Sequence, residues 1–196
     1  MSSIPNQPDQ GQRAAGRQPL DVRLRAWRED DLGLMERLLG DPAMTEYLGG
    51  PETPEHLRDR LSQYVELKPE AGRMYVITVG PERAPAGSVG YWWHEASDVP
   101  SLETGWSVLP EFQRKGVATR AMEICLEQVA RHTDQPAIHA YPTVDNAASN
   151  ALCRRLGFEL LGATPFEYPK GHPIVCNDWS FDLDRARGAG TIEPRP

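Results

Sequence analysis

One stretch, residues 102 to 128 (LETGWSVLPEFQRKGVATRAMEICLEQ), constrains the rest of the chain. Leu102, Thr104, Trp106 and Val108 alternate with Glu103, Gly105 and Ser107, the pattern of a strand with one buried face. Leu109-Pro110 ends the strand. After a short turn, Ala118, Ala121, Met122, Cys125, Leu126 and Val129 recur at helical spacing. Strand, basic glycine turn and amphipathic helix are therefore read as one unit, and the turn is Gln113-Arg114-Lys115-Gly116-Val117-Ala118-Thr119.

A helix N-terminus carries about +0.5 of a charge and a set of unpaired amide N–H groups, so carboxylates are favoured there and cations are not. Here Arg114, Lys115 and Arg120 surround the helix start, with no acid between Glu111 and Glu123. Two positive contributions at one point predict an anion between them, a phosphate held by backbone amides that glycine leaves uncovered. The turn is not a Walker A loop, because neither Lys-Ser nor Lys-Thr follows Gly116. It also lacks the three glycines of a dinucleotide fingerprint.

Gln113-x-x-Gly116-x-Ala118, preceded by Val108-Leu109-Pro110, resembles the Q/R-x-x-G-x-G/A pyrophosphate motif of the GNAT superfamily of acyl-CoA-dependent N-acetyltransferases. A second block, Asn146-Ala-Ala-Ser149-Asn150-Ala-Leu-Cys153-Arg-Arg-Leu156-Gly157-Phe158, is similar to that family's next helix, which begins with Asn and ends in a Leu-Gly-Phe turn. Order and separation also fit, over roughly residues 21 to 183. The long N-terminal region and the paired motifs look most like the branch that includes the ribosomal-protein-alanine acetyltransferases.

The remaining pattern is compatible with that resemblance. Val22, Leu24 and Ala26 suggest a first strand. Leu32, Leu34, Met35, Leu38 and Leu39 suggest a helix, and a second helical stretch follows from about Pro54 to Leu67. Met74 to Val79, Ser88 to Trp93 and Leu102 to Val108 should form an antiparallel meander, with Tyr91, Trp92 and Trp93 putting aromatic surface on both faces. Ala137 to Tyr141 reads as a buried strand, Asn146 to Leu156 as a helix capped by Gly157, and Phe158 to Leu161 with Val175 to Leu183 as a closing pair. The fold class is α/β in the α+β sense: a mixed, mostly antiparallel central sheet with helices on both faces. The resemblance adds that this sheet is splayed at its middle.

Residues 1–20 and 184–196 are rich in polar residues, Pro and Gly and read as disordered tails around a single domain, 21–183. With 39% hydrophobic and 25% charged residues the composition is that of a soluble globular protein, and no apolar run reaches the length of a membrane span. The N-terminus has no apolar core and so no secretory signal. Cys125, Cys153 and Cys176 form no C-x-x-C pair, which points to core thiols in a reducing cytoplasm. The histidines show no metal-ligand spacing, so no metal is expected. A net charge of −7 disfavours nucleic acid as a partner.

What the resemblance implies about chemistry is specific. Acetyl-CoA is the cosubstrate, with its pyrophosphate on Gln113, Arg114, Lys115, Gly116, Val117, Ala118 and Thr119. Its pantetheine arm bonds backbone near Val108 and side chains at Asn146 and Ser149. The acceptor is a primary amine, a protein N-terminus or a small molecule, and members are often homodimers. Glu103 lies about five residues, or ~16 Å, from Val108 along the strand. It is the candidate proton acceptor, with a solvated strand residue or ion-pair partner as the other reading. Asn146 is a candidate for ordering the acceptor as well as an N-cap for its helix. Cys153 takes the place of a tyrosine that protonates the departing thiolate in many members; it either serves that role or packs. Tyr141, His139 and His94 are held as cleft residues. Two other classes remain at this point, a noncatalytic acyl-CoA-binding sensor or interaction module and a nucleotide-binding enzyme that shares only the glycine turn.

Overall fold

A computed structural model describes residues 20–94, 101–169 and 171–189. The proposed tail segments 1–19 and 190–196, and the side chain of His94, lie outside the described residues. Seven strands form one sheet: β1 (Val22–Ala26), β2 (Gly72–Val79), β3 (Ala84–His94), β4 (Ser101–Val108), β5 (Ala137–Ala140), β6 (Glu159–Glu167) and β7 (Pro173–Asp182), in the order β1-β2-β3-β4-β5-β7-β6. Every pair is antiparallel except β4 with β5.

Five helices complete the described chain: α1 (Leu32–Leu39), α2 (Pro54–Glu66), α3 (Val117–His132), α4 (Ala147–Leu156) and α5 (Leu183–Ala189). They sort onto the two sheet faces by their apolar stripes. Met122, Cys125, Leu126 and Val129 of α3, with Leu152, Cys153 and Leu156 of α4, pack on Val89, Leu102, Ile138 and Phe181. On the other face, Leu34, Met35 and Leu38 of α1 and Leu57 and Leu61 of α2 pack on Val76 and Leu109, with Met74 and Tyr64 at the margin.

The one parallel pair opens the sheet. β4 and β5 share only two rungs, Leu102↔Ile138 and Glu103↔His139, so from Thr104 onward β4 has no rung with β5. The splay expected at the middle of the sheet is therefore present at this junction. Close β2–β3–β4 contact is maintained by small residues: a Cβ on Gly87 would lie 2.1 Å from Ser107 O, and one on Gly90 2.5 Å from Arg73 O.

Two elements differ from the sequence reading. The closing hairpin is longer than the Phe158 to Leu161 strand predicts, because β6 runs to Glu167 and turns through Tyr168-Pro169. Its exposed, alternating burial, with Pro and Gly inside the strand, hid the continuation. The segment read as a tail from residue 184 begins instead with α5. Asp182 Oδ1 accepts from the amides of Asp184 and Arg185, and Arg187 donates to the carbonyls of Ala130, in the last turn of α3, and of Thr133 and Gln135 just past it.

The α1–α2 connection reaches the hairpin tip. Gly49, at φ 81°, approaches Pro169 so closely that a Cβ would lie 2.2 Å from its Cδ. Behind it Arg60 of α2 forms a two-toothed ion pair with Glu52, at 3.0 and 2.7 Å. The α1–α2 segment thus bridges to the C-terminal half across the splay. No helix among the described residues is long and apolar enough to cross a membrane.

Candidate active site

The basic glycine turn sits where β4 ends and α3 begins. Gly116 is the N-cap of α3 at φ 86°, a left-handed conformation glycine adopts without strain, and Arg114 is also at positive φ, 55°. No side chain caps α3, its first turn holds no acid, and a Cβ on Gly116 would meet no atom within 4 Å. Arg114 and Lys115 are exposed beside it, while Arg120 pairs with the buried Glu123 at 3.0 Å. Val117 is buried core, so at that position only the backbone amide is available to a ligand. Ala118 and Thr119 are half-buried on the same first turn.

Gln113 is turned back toward the strand. Its Nε2 donates to Val108 O at 2.8 Å, so the two residues read from sequence as separate cofactor contacts are bonded to each other. Open amides, flanking cations and a strand edge free past Glu103 are the donor set that a pyrophosphate followed by an amide-bearing chain requires. The residues present fit coenzyme A.

At the far end of that strand, alternation sets the chemistry. Leu102 and Thr104 face α3, with Thr104 Oγ1 donating to Gly90 O at 2.7 Å. Glu103 therefore projects from the opposite face, level with Trp92 of β3 and His139 of β5. The Trp92 ring lies over Gly105, where a Cβ would come within 2.9 Å of its edge. Tyr91 is buried against α3, and the Trp93 indole donates to Glu70 O at 3.0 Å. Of the three consecutive aromatics, Trp92 is the one that floors the cleft.

Around Glu103 the strands gather a polar group. His139 Nδ1 lies 2.7 Å from Asp178 Oδ1, its ring stacks on Tyr141 at 6.0 Å, and Tyr141 meets Phe166 at 5.1 Å. Burial, reinforced by the Asp178 and Glu103 carboxylates, pushes the Tyr141 phenol up to about 12. Burial and Glu103 push the Cys176 thiol up to about 11. Glu103 thus shares one electrostatic environment with Tyr141 and Cys176. Sequence reasoning missed Asp178, Cys176 and Phe166. The alternation of β7, whose Trp179 and Phe181 face α4, would have placed Cys176 and Asp178 opposite them.

Beyond Tyr141 the chain turns into α4. Asn146 caps that helix, its Oδ1 accepting from the Ser149 amide at 3.0 Å, which is the N-cap arrangement the sequence predicts. Asn150, unremarked in sequence, is the buried hub. It donates to Thr143 O and Asn146 O, and its Oδ1 accepts from Asn177 Nδ2 and Trp179 Nε1. A cleft of about 420 Å³ opens beside this turn, bounded by Glu46, Tyr47, Thr143, Asp145, His172 and Val175 among others.

Cys153 points elsewhere. It is fully buried in the α3–α4 core, and burial pushes its thiol up to about 12. A thiol that holds its proton so tightly is a poor donor to a thiolate whose own ordinary value is near 8.5. This favours the packing alternative.

A family comparison decides what this arrangement belongs to. The acetyltransferase (GNAT) domain family matches residues 21–159. The chain belongs to the GNAT acetyltransferase family. It is accordingly an acetyltransferase, and its fold recurs in solved structures at low identity. A Salmonella typhimurium acetyltransferase that modifies the N-terminal serine of ribosomal protein L7/L12 superposes with TM-score 0.69 at 23% identity, covering 82% of this chain and 94% of that one. The L7/L12 α-N-protein acetyltransferase RimL in complex with coenzyme A gives 0.69 at 24%, covering 83% and 94%. The spermidine N-acetyltransferase of Vibrio cholerae, in complex with coenzyme A and spermine, gives 0.70 at 19%, covering 85% and 98%.

Proposed function

We propose that this acetyltransferase moves an acetyl group from acetyl-CoA to a primary amine, either a protein N-terminus or a small-molecule amine. The observation that carries the proposal is the open glycine turn at the start of α3, placed at one end of β4, with Glu103 at the other end where β4 and β5 part. When bound, acetyl-CoA supplies an activated acyl thioester. The amides of Val117, Ala118 and Thr119, the side chains of Gln113, Arg114 and Lys115, and the uncovered Gly116 would hold its pyrophosphate. Val108 backbone, Asn146 and Ser149 would hold the pantetheine arm. Asn146 additionally orders the acceptor, and the enzyme acts as a monomer or homodimer.

An attacking amine must be neutral. A lysine-like amine near 10.4 arrives protonated at pH 7, whereas an α-amine near 7.7 to 8.0 is already partly neutral. Glu103 accepts the surplus proton, directly or through one water. Two relatives of this fold named above act on an N-terminal serine of L7/L12 and on spermidine, which brackets the acceptor panel worth testing.

The test is free-thiol release from acetyl-CoA, with mass spectrometry of products, across peptides with free N-termini, polyamines and aminoglycosides. Turnover with one class establishes the reaction and its acceptor. Glu103→Gln should lower kcat by about 10²-fold or more. A rate unchanged from pH 6 to 9 would remove Glu103 from the mechanism. Failure of coenzyme A to raise the melting temperature would refute the cosubstrate.

A further inference from the structure

The polar group beside Glu103 contains a feature the proposed reaction does not use. Glu103 and His139 are directly paired across the last rung between β4 and β5. Their sheet neighbours Leu102 and Ile138, 2% and 0% exposed, are committed to the α3 face, so Glu103 and His139 leave the sheet on the same opposite side. Asp178 reaches His139 from β7 at 2.7 Å, and the side chains of that pair are only 18% and 23% exposed. Because a carboxylate accepts and does not donate, this contact places the imidazole proton on Nδ1 and turns the Nε2 lone pair away from Asp178.

The chemistry supplies a need for such a group. A carboxylate with an ordinary value near 4.3 is a poor resting place for a proton drawn from an amine. An imidazole near 6.5 holds the same proton about a hundredfold better. We propose that His139 is the second proton acceptor of the reaction, with Asp178 as its positioning residue. The proton leaves the amine nitrogen for a Glu103 oxygen, then leaves that oxygen for His139 Nε2. The resulting imidazolium faces the Asp178 carboxylate until it releases the proton to solvent. One N–H bond is broken and one formed, the transient O–H bond cancels, and no oxidant or further reactant enters.

The groups facing His139 are consistent with this direction of transfer. Glu103 on β4 and Asp178 on β7 are acids, and Asp178 accepts from Nδ1 whether or not Nε2 also carries a proton. Tyr141, just past β5, and Cys176 on β7, with their protons held up to about 12 and about 11, stay neutral across the working range. Phe166 of β6 closes the far side of Tyr141 without adding charge.

This inference rests on the amine-acetylation reading, and its test separates the two. In the free enzyme, long-range ¹H–¹⁵N correlation of the histidine imidazoles should show neutral His139 protonated on Nδ1, a preference that Asp178→Asn weakens. In turnover, His139→Gln should lose about 10²-fold in kcat near pH 7, and the deficit should narrow to about tenfold or less as pH approaches the acceptor's own value. KM for acetyl-CoA should stay within threefold. An Nε2-protonated tautomer, or a His139→Gln rate that is unchanged or lowered equally at every pH, would overturn the proposal. A missing melting-temperature rise with coenzyme A, by contrast, would refute the cosubstrate and leave the imidazole measurement standing.

Discussion

Truncating Asn150 should unfold the link between the α4 turn and the C-terminal hairpin. The side chain is 6% exposed and holds four partners: the carbonyls of Thr143 and Asn146, Asn177 Nδ2 and Trp179 Nε1. In Asn150→Ala the Asn146 carbonyl keeps the Asn150 amide, 3.0 Å away, so that partner loses little. Trp179 is 3% exposed, and its stranded indole N–H costs about 1–3 kcal/mol. Thr143 O likewise keeps the Asn146 amide, 3.0 Å away, and Asn177 Nδ2, partly buried, adds roughly 0.5–1.5 kcal/mol. The sum is about 1.5–4.5 kcal/mol, or a melting-temperature loss of roughly 3–18 °C for a domain of this size. Asn177→Ala removes one of the same bonds and should cost only about 1 kcal/mol. The double variant should cost less than the sum, because the two residues share a bond. Urea unfolding of the three variants at one pH is the assay. A loss below 1 kcal/mol for Asn150→Ala, or strict additivity, would show that the hub is not what joins these elements.

Two further outcomes follow from groups already described. Cys153→Ala should leave kcat within threefold and cost about 1–2 kcal/mol of stability by loss of packing; a hundredfold rate loss at unchanged stability would return Cys153 to the chemistry. The Asp31 carboxyl is pushed up by burial, but the Arg25 guanidinium at 2.6 Å and the Arg28 amide at 2.9 Å outweigh that and hold it below its ordinary 3.8. Its contribution is therefore present above about pH 4 and lost as pH falls through the lower folded value. Asp31→Asn should be less stable than the parent by about 3 kcal/mol at pH 7, with the gap shrinking by pH 3 in urea melts; a gap independent of pH would contradict this sign.

The glycine turn and the flanking strand and helix were legible because they carry two signals at once. Period-two and helical spacing in residues 102–128 fixed the elements, and charge of the wrong sign for a helix start marked the turn between them. Asn146 was legible for a similar reason, since an N-cap is a local matter. The environment of Glu103 was not, because it is assembled by strand order. Nothing in the chain announces that β7 inserts between β5 and β6, and only that insertion brings Asp178, 39 residues away in sequence, to His139. Cys153 was ambiguous because its position in a motif suggested chemistry while its place on the helix face suggested packing. α5 was not legible because it is polar along much of its length: only Leu183 and Ala186 pack on the core, and Arg187 ties the rest to backbone carbonyls.

That tie has a consequence for the order of events during synthesis. The carbonyls of Ala130, Thr133 and Gln135 leave the ribosome more than fifty residues before Arg187 does. Until it arrives, those carbonyls at the far end of α3 lack the guanidinium, and until β7 is made just before it, β5 lacks a neighbour on that side. A nascent chain can therefore form the meander and begin α3 early, but the half of the protein that carries His139 and Asp178 is completed only once β7 and α5 have been made.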